Sequence, residues 1–460
     1  MRQSLLAIAL LGVMLAGLGL LMQPSGVLRF AAWGFVVVVV GAAISLRRLG
    51  LRETYLLGLV AALSGLVMLW HGDRAEVVLA GAMDQAAYLM CFIIALGLLN
   101  EAAASSPSVA TCGIYLTRQP PGRRYWALNV GTAVLAVMFN IGTVSFLVPL
   151  IQRGISDGPD DGLNPVRQRR QVSALLRGFG WSVIWSPTAI APLVVASLIP
   201  GTDRTRWLVI GLVVFVLILI VGAAEDWLRF RHLRPRRPRV AAPVPWAAVG
   251  RFALACGWLF GMSVIFSRLT GGGIVTGLLI SCPLMLLGWH AAQVGWAGRH
   301  RIGGRLTAVM VNLPGSAPVA VTLACSGYVG RVAADLVPAA QLASALRLDA
   351  MPDYLLLWSI PLALSGLSLF ALSPIMMAVF FGSLFGALPV LPADPTLIAF
   401  AISCGWALSI TFSPFATPVL LIDRVTGIAP RQLTWGWNLG FSALAAVSLL
   451  PVFVVLTGGQ

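Results

Sequence analysis

Two short stretches of this 460-residue chain combine hydroxyl side chains with proline inside long apolar runs. The first, GFGWSVIWSPTAIAP at 178–192, has Ser186 and Thr188 on either side of a proline. The second, CGWALSITFSPFATP at 404–418, repeats the arrangement with two more residues before its Ser-Pro pair. Proline removes an amide donor and ends the preceding helical turn. Both stretches therefore predict a helix that is broken within apolar surroundings.

A broken helix can bind ions without a buried formal charge. The break leaves amide donors at the start of one half and carbonyl acceptors at the end of the other, and each end carries a partial charge. The two stretches place no charged side chain at the breaks, as expected where a buried charge is costly. We expect a substrate- or ion-binding site built from Asn140, Gly142, Thr143, Ser145, Ser186, Thr188, Ser373, Ser413 and Thr417.

Three tryptophans flank the breaks: Trp181, Trp185 and Trp406. Tryptophan in membrane proteins is commonest as an interface anchor, but these three lie several residues inside the apolar runs. The alternative role is to line a cavity, which would favour a solute with some apolar surface.

The composition excludes a soluble protein. Hydrophobic residues make up 58% of the chain, charged residues 10%, and the mean hydropathy is +0.90. All 31 basic residues are arginine and lie mainly in short loops, where they orient membrane spans, so we expect no nucleic-acid partner despite the net charge of +15. The six cysteines are scattered without paired spacing, so the sequence predicts no disulfide framework, metal site or cofactor.

Apolar runs of about 20 residues predict eleven membrane spans. The first is interpreted as a retained helix, since more spans follow it directly and it lacks a clear cleavage site. The predicted spans cover residues 4–22, 30–46, 54–71, 78–99, 171–199, 207–225, 247–267, 274–296, 305–327, 396–421 and 435–456.

The arginines predict the orientation of these spans. With the N-terminus inside, 24 of the 31 arginines fall on the cytoplasmic side. The C-terminus is then outside. The all-arginine composition fits a bacterial chain from a GC-rich genome, so we expect a bacterial cytoplasmic (inner) membrane protein in contact with the lipid bilayer.

Residues 125–152 do not fit a simple span. One straight helix would be about 42 Å long and would put two arginine clusters on opposite sides of the membrane. The segment is too short to cross twice. We therefore predict a re-entrant hairpin that enters from the cytoplasm, turns at FNIGT and leaves on the same side, which requires protein or a watery cavity around the turn.

A second hairpin is predicted at 353–388, returning to the outer side, with its turn at Ser373 and the proline that follows. Two short full spans are the alternative, since 36 residues are barely enough for them. The sequence leaves both open.

The chain after its first helix (1–29) divides into two similar units. Each has three spans, a hairpin, a broken span and a final span. The predicted repeats are 30–225 and 247–460, separated by an arginine-rich cytoplasmic linker at 226–246. Because five spans is an odd number, the second repeat enters the membrane in the opposite sense. Inverted repeats with broken helices at their centre are typical of secondary transporters.

Several of these stretches resemble a known group of proteins. The run GRRYWALNVGTAVLAVMFNIGTVSFLVPL, and SPIMMAVFFGSLFGALP followed by SITFSPFATPVLLIDRVTG, are similar to the ion transporter superfamily, particularly arsenite permeases and divalent anion sodium symporters. The dicarboxylate branch of that group has Ser-Asn-Thr triplets at the hairpin tips and breaks, and no full triplet occurs here. The resemblance implies an elevator mechanism, with a scaffold that usually forms a homodimer.

The function predicted from these features is secondary active transport of a small anionic solute, coupled to Na⁺ or H⁺, without enzymatic activity. A membrane-embedded transferase is one alternative, and it would need acids or histidines clustered at one membrane face. An anion channel is the other, but selectivity filters usually come from symmetric oligomers with one pore motif per subunit.

Overall fold

The computed structural model describes residues 2–70, 72–104, 106–157, 162–233, 242–294, 302–345 and 347–459. The helices are α1 (Arg2–Met22), α2 (Gly26–Ser45), α3 (Leu51–Trp70), α4 (Ala75–Ala104), α5 (Pro107–Thr117), α6 (Pro121–Phe139), α7 (Gly142–Ser156), α8 (Asn164–Ser182), α9 (Ile190–Leu198), α10 (Arg204–Phe230), α11 (Trp246–Thr270), α12 (Gly273–Val294), α13 (Ile302–Asn312), α14 (Ala317–Leu336), α15 (Ala339–Ala345), α16 (Asp353–Leu367), α17 (Pro374–Gly386), α18 (Pro395–Phe412), α19 (Thr417–Thr426) and α20 (Leu439–Thr457). A π-helical turn, Gln432–Asn438, leads into α20.

The predicted all-α polytopic membrane class is confirmed. The described residues contain no strand, and eleven of their helices are long and apolar enough to cross a membrane. The number of spans agrees with the prediction, but one of the eleven spans is a different segment. Residues 353–370 qualify as a span, whereas the predicted span 171–199 does not, because α8 has polar first turns and is interrupted after Ser182.

Contacts between helices divide the chain into two compact units. Unit 1 comprises residues 1–106 and 253–337, and unit 2 comprises 107–252 and 338–460. The divisions cut each predicted repeat at the same place. The three initial spans of each repeat belong to unit 1, apart from the first turns of α11, and the hairpin, broken helix and final span belong to unit 2.

Unit 1 is a bundle around α4, which packs against α1, α12 and α14. Small residues bring the helices close. A Cβ added at Gly17 of α1 would lie 2.7 Å from the Cβ of Cys91 in α4. The guanidinium of Arg29 forms two hydrogen bonds with the carboxylate of Asp84, at 2.9 and 2.6 Å, so the acid in the middle of α4 has an ion-pair partner.

Unit 2 contains every residue of the predicted site. Its core is α18, buried over nearly its whole length and packed against α8, α16, α17 and α9. Glycine allows the closest approach between α6 and α8. A Cβ on Gly178 would lie only 2.2 Å from the carbonyl oxygen of Asn129, so these helices pack backbone to backbone.

Some predicted boundaries differ from the structure. The predicted span 305–327 is two helices joined by a 3₁₀ turn at Leu313–Ser316, and α14 continues to Leu336. Residues 107–117, which no predicted span or hairpin covers, form α5. The predicted linker 226–246 begins inside α10, which ends at Phe230, and its residues 234–241 lie outside the described part of the chain.

Candidate functional site

The segment 125–152 is broken into two helices that pack against each other. The turn lies at Asn140 and Ile141, where the sequence predicted it. Asn140 has φ 46° and ψ −129°, a conformation that glycine adopts far more readily than other residues. This first hairpin (α6 and α7) is therefore a helix-turn-helix unit, while its placement in a bilayer stays a prediction.

The second hairpin (α16 and α17) also turns where the sequence predicted. A 3₁₀ turn, Ser368–Phe370, follows α16, Ala371 has φ 61°, and α17 begins at Pro374. The thirteen residues of α17 span about 20 Å, less than the roughly 30 Å of a hydrocarbon core. The helix α17 is therefore too short for a full span, and the re-entrant placement of 353–388 stays a prediction.

The first break (residues 183–189) separates α8 from α9. Ser186 and Thr188 are buried, and their hydroxyl oxygens lie 3.2 Å apart. The Thr188 hydroxyl also donates to the carbonyl of Val137, in the last turn of α6. The break is therefore attached to the tip of the first hairpin by a hydrogen bond to one of the carbonyls that the end of α6 leaves without a helical partner.

The second break (residues 413–416) repeats this attachment. The buried hydroxyl of Ser413 donates to the carbonyl of Ser368, just after α16, at 2.9 Å. The same oxygen accepts from the amide of Phe415 at 3.3 Å. In each repeat, then, a hydroxyl at the break caps the end of the first hairpin helix. Sequence reasoning placed these hydroxyls in one site but did not foresee the attachment.

Within unit 2, helices of one predicted repeat also pack against helices of the other. The second helix of each hairpin packs on the other repeat's helix after the break: α7 contacts α19, and α17 contacts α9. The helices before the breaks, α8 and α18, pack against each other. A Cβ on Gly180 would lie 3.4 Å from the carbonyl oxygen of Ala407. The helices that follow and precede the two breaks are thus packed together across the predicted repeats.

Four helices of unit 2 begin directly after a hairpin turn or a break: α7, α9, α17 and α19. Ile141, Ala189 and Ala416 precede three of them and provide no side-chain cap. At the fourth, the Ser373 hydroxyl accepts from the amide of Met376 at 3.3 Å. Amide groups at helix starts attract anions, particularly where no side chain already occupies them.

The remaining predicted residues differ in their surroundings. Gly142 and Thr417 are the first residues of α7 and α19 and are half-buried. Thr143 is fully buried, and its hydroxyl has no hydrogen-bond partner among the described residues. Ser145, two residues further along α7, is exposed. Thr143 is therefore the hydroxyl of the first tip with free hydrogen-bonding capacity.

The tryptophans lie at different depths. Trp181 is almost completely buried, and Trp185 packs against Phe215 of α10 with ring centroids 5.7 Å apart. The indole nitrogens of both have no hydrogen-bond partner among the described residues. Trp406 is half-buried. Their role in lining a cavity stays a prediction.

A charged cluster in unit 2 was missed by sequence reasoning, which assigned Arg177 to the cytoplasmic arginines. Arg177 is 3% exposed and pairs with Glu225, 9% exposed, at 2.9 Å. Its Nε also donates to Asn438 of the π-helical turn at 2.8 Å, and its guanidinium lies 4.2 Å from the Phe441 ring. The signal was the position of Arg177 six residues inside the predicted span 171–199.

No group of three or more metal-ligating side chains occurs among the described residues. Comparison with known proteins finds no matching family model and no matching curated protein. Among solved structures, the chain is similar to the crystal structure of the YdaH transporter from Alcanivorax borkumensis, described as having an unusual topology. The TM-score is 0.58 at 14% identity, covering 89% of this chain and 98% of that chain. At this identity the likeness shows a shared fold. The resemblance to arsenite permeases and divalent anion symporters stays a prediction.

Proposed function

We propose that the protein is a membrane transporter that moves a small anionic solute by secondary active transport, coupled to Na⁺ or H⁺. The observation that carries the proposal is the hairpin and break pair that occurs twice in unit 2, with each break bonded to its own hairpin tip. Four helices of unit 2 begin directly after these turns and breaks, and three of them lack side-chain caps. Their partial positive charges favour an anion over a cation or a neutral solute.

The fold supports transport over the alternatives. Broken helices whose halves face a common centre are the usual construction of secondary transporters. The similarity to the YdaH transporter structure points the same way. Unit 2, which contains both hairpins, is proposed as the part that moves in an elevator-type cycle, and unit 1 as the scaffold.

Thr143 and Asn140 are proposed to contact the solute or its coupling ion at the first hairpin tip, together with amides at the start of α7 and α9. Thr188 and Ser413 are proposed to hold the tips in place, because their hydroxyls already donate to Val137 and Ser368.

Solute flux in proteoliposomes tests the proposal. The purified chain is reconstituted, and uptake of a panel of labelled organic and inorganic anions is measured under an imposed Na⁺ gradient, an imposed H⁺ gradient and neither. We expect accumulation of at least one anion that depends on one of the two gradients. Flux that equilibrates without either gradient would indicate a channel, and a covalent product without flux would indicate an enzyme.

A further inference from the structure

An arginine-rich cluster lies where the apolar part of α10 ends. Residues 207–224 of α10 contain no charged side chain and span about 27 Å, close to the thickness of a hydrocarbon core. Charge resumes at Glu225. Trp227 and Phe230 follow in the same helix end, as expected of aromatic residues at a membrane interface. The cluster therefore lies at the level of the lipid headgroups.

The cluster has more positive than negative charge. Its guanidinium groups come from Arg169, Arg170, Arg177 and Arg229, and its carboxylates are Glu225 and Asp226. Four positive charges against two negative ones leave an excess of two. Arg177 and Arg229 share Glu225, and Arg170 pairs with Asp226 at 2.6 Å.

Arg169 is the guanidinium without a carboxylate partner among the described residues. It lies over the Phe230 ring at 5.7 Å and reaches the carbonyl of Gly436 at 3.4 Å. Partial burial lowers the pKa of Arg169 and the like charge of Arg229 lowers it further, while Glu225 opposes the shift and Arg177 adds to it. An anion beside Arg169 would relieve this repulsion.

We propose that Arg169 and Arg229 bind the phosphate of an anionic phospholipid headgroup at the edge of unit 2, with Phe230 and Trp437 against its glycerol and upper acyl chain. The cavity among these side chains is about 10 Å³, room for one water molecule, so the phosphate lies at its mouth. The arginine distribution predicts that this edge faces the cytoplasm. Basic pockets between helices on that side are suited to anionic headgroups.

Melting temperatures of the purified full-length chain in neutral detergent test this site independently of transport. The added probes are phosphatidylglycerol, phosphatidylcholine and inorganic phosphate. We expect phosphatidylglycerol to raise the melting temperature of the wild type, and the other two probes to leave it unchanged. An equal rise with inorganic phosphate would overturn the assignment to a lipid, and an equal rise with phosphatidylcholine would show a general lipid effect.

Variants locate the effect. Arg169→Gln is expected to lose at least half of the phosphatidylglycerol shift, Arg169→Lys to retain most of it, and Arg424→Gln to keep the full shift. Arg424 is a matched control because it is exposed on α19 of the same unit. Equal shifts in the Arg169→Gln and Arg424→Gln variants overturn the proposal.

A second measurement needs no variant. A photoactivatable phosphatidylglycerol is crosslinked to the wild-type chain in proteoliposomes, and the labelled peptides are mapped. We expect labelling in 164–173, 225–231 and 432–439, competed by unlabelled phosphatidylglycerol. Labelling spread evenly over the apolar helices contradicts the site.

Discussion

The two predicted repeats contribute hairpin and break pairs of similar construction to unit 2, but within that unit they differ in how completely their polar groups are bonded. In the second repeat, Ser373 caps α17, Ser413 bonds to Ser368, and the indole of Trp358 donates to Ala446. In the first repeat, buried polar atoms are left without a hydrogen-bond partner among the described residues. Within unit 2 they include atoms of Asn129, Thr132, Thr143, Gln152, Ser173, Trp181 and Trp185 from the first predicted repeat, against Ser383 and Ser403 from the second.

This difference indicates which predicted repeat depends more on a bound solute to complete its hydrogen bonds. Leaving a buried polar group unpaired costs about 1–3 kcal/mol, so several together in one repeat indicate bonds completed by water, an ion or a solute. In the second predicted repeat, the hydroxyls of Ser373 and Ser413 at the hairpin tip and the break are already bonded within the protein. We infer that the first hairpin tip contributes more of the ligand contacts.

The largest expected effect concerns the buried ion pair of Arg177 and Glu225, which has no counterpart among the described residues of the second predicted repeat. Arg177→Met should lower the free energy of unfolding by about 3–4 kcal/mol, because Glu225 would stay buried with only the partly exposed Arg229 as its partner. Thermal unfolding in detergent measures the loss. The control is Arg206→Gln, which removes the exposed pair with Asp394 and should cost at most about 1 kcal/mol. Equal losses would show that the burial of Arg177 contributes nothing.

Gly178→Ala should be nearly as damaging, at about 3 kcal/mol, because the added Cβ would meet the Asn129 backbone at 2.2 Å and push α6 from α8. In the second repeat, Gly405→Ala should cost less, since its nearest neighbour is the Leu364 side chain at 2.9 Å. Folded yield and melting temperature provide the measurement. Gly154→Ala, in open space on α7, serves as control and should be neutral or slightly stabilising. A larger loss of stability in Gly405→Ala than in Gly178→Ala would contradict the backbone-to-backbone packing of α6 on α8.

The two hydroxyl attachments should have similar strengths. Thr188→Val and Ser413→Ala each remove a buried hydrogen bond to a hairpin carbonyl and should each cost about 1–2 kcal/mol and reduce flux. Ser448→Ala removes only a hydroxyl that bonds back to its own helix and should change little. Unaltered melting temperatures in both attachment variants would remove the proposed holding role.

Two variants of Asn140 distinguish a role in the backbone turn from a role in ligand binding. Asn140→Gly should preserve or raise stability by about 1 kcal/mol, because φ 46° and ψ −129° suit glycine, whereas Asn140→Ala should lower it by about that amount. If the side chain contacts the solute, both variants lose flux although their stabilities move in opposite directions. Normal flux in the glycine variant would assign Asn140 to the turn alone.

The smallest expected change in stability is for Thr143→Val. Its hydroxyl has no bond to lose, so stability should stay within about 1 kcal/mol, while the solute concentration for half-maximal flux should rise about tenfold. Thr132→Val is the matched control, since Thr132 is equally buried with an unpartnered hydroxyl but lies two turns before the end of α6. Equal flux in the wild type and the Thr143 variant would remove this residue from the site.

Much of the fold could be predicted from local signals. Ser-Pro pairs located both breaks, the Asn-Ile-Gly-Thr and Ser-Pro motifs located both hairpin turns, and length and hydropathy located most spans. The span 171–199 was less well predicted. The helix α8 begins with polar residues at Asn164 and continues through Arg177 to Ser182, and a search for long apolar runs does not detect polar helical residues. The 3₁₀ turn at Leu313–Ser316 inside a predicted continuous span was missed for a similar reason.

The sequence by itself determined where this chain is apolar and where its helices end, because those properties depend on side-chain hydropathy and on proline and glycine backbones within a few residues. Only the tertiary structure decided which polar groups meet. The bonds from Thr188 to Val137, from Ser413 to Ser368 and from Arg177 to Glu225 join residues 45 to 51 positions apart. Such pairs depend on which helix faces pack together, and the hydropathy of a segment does not determine that.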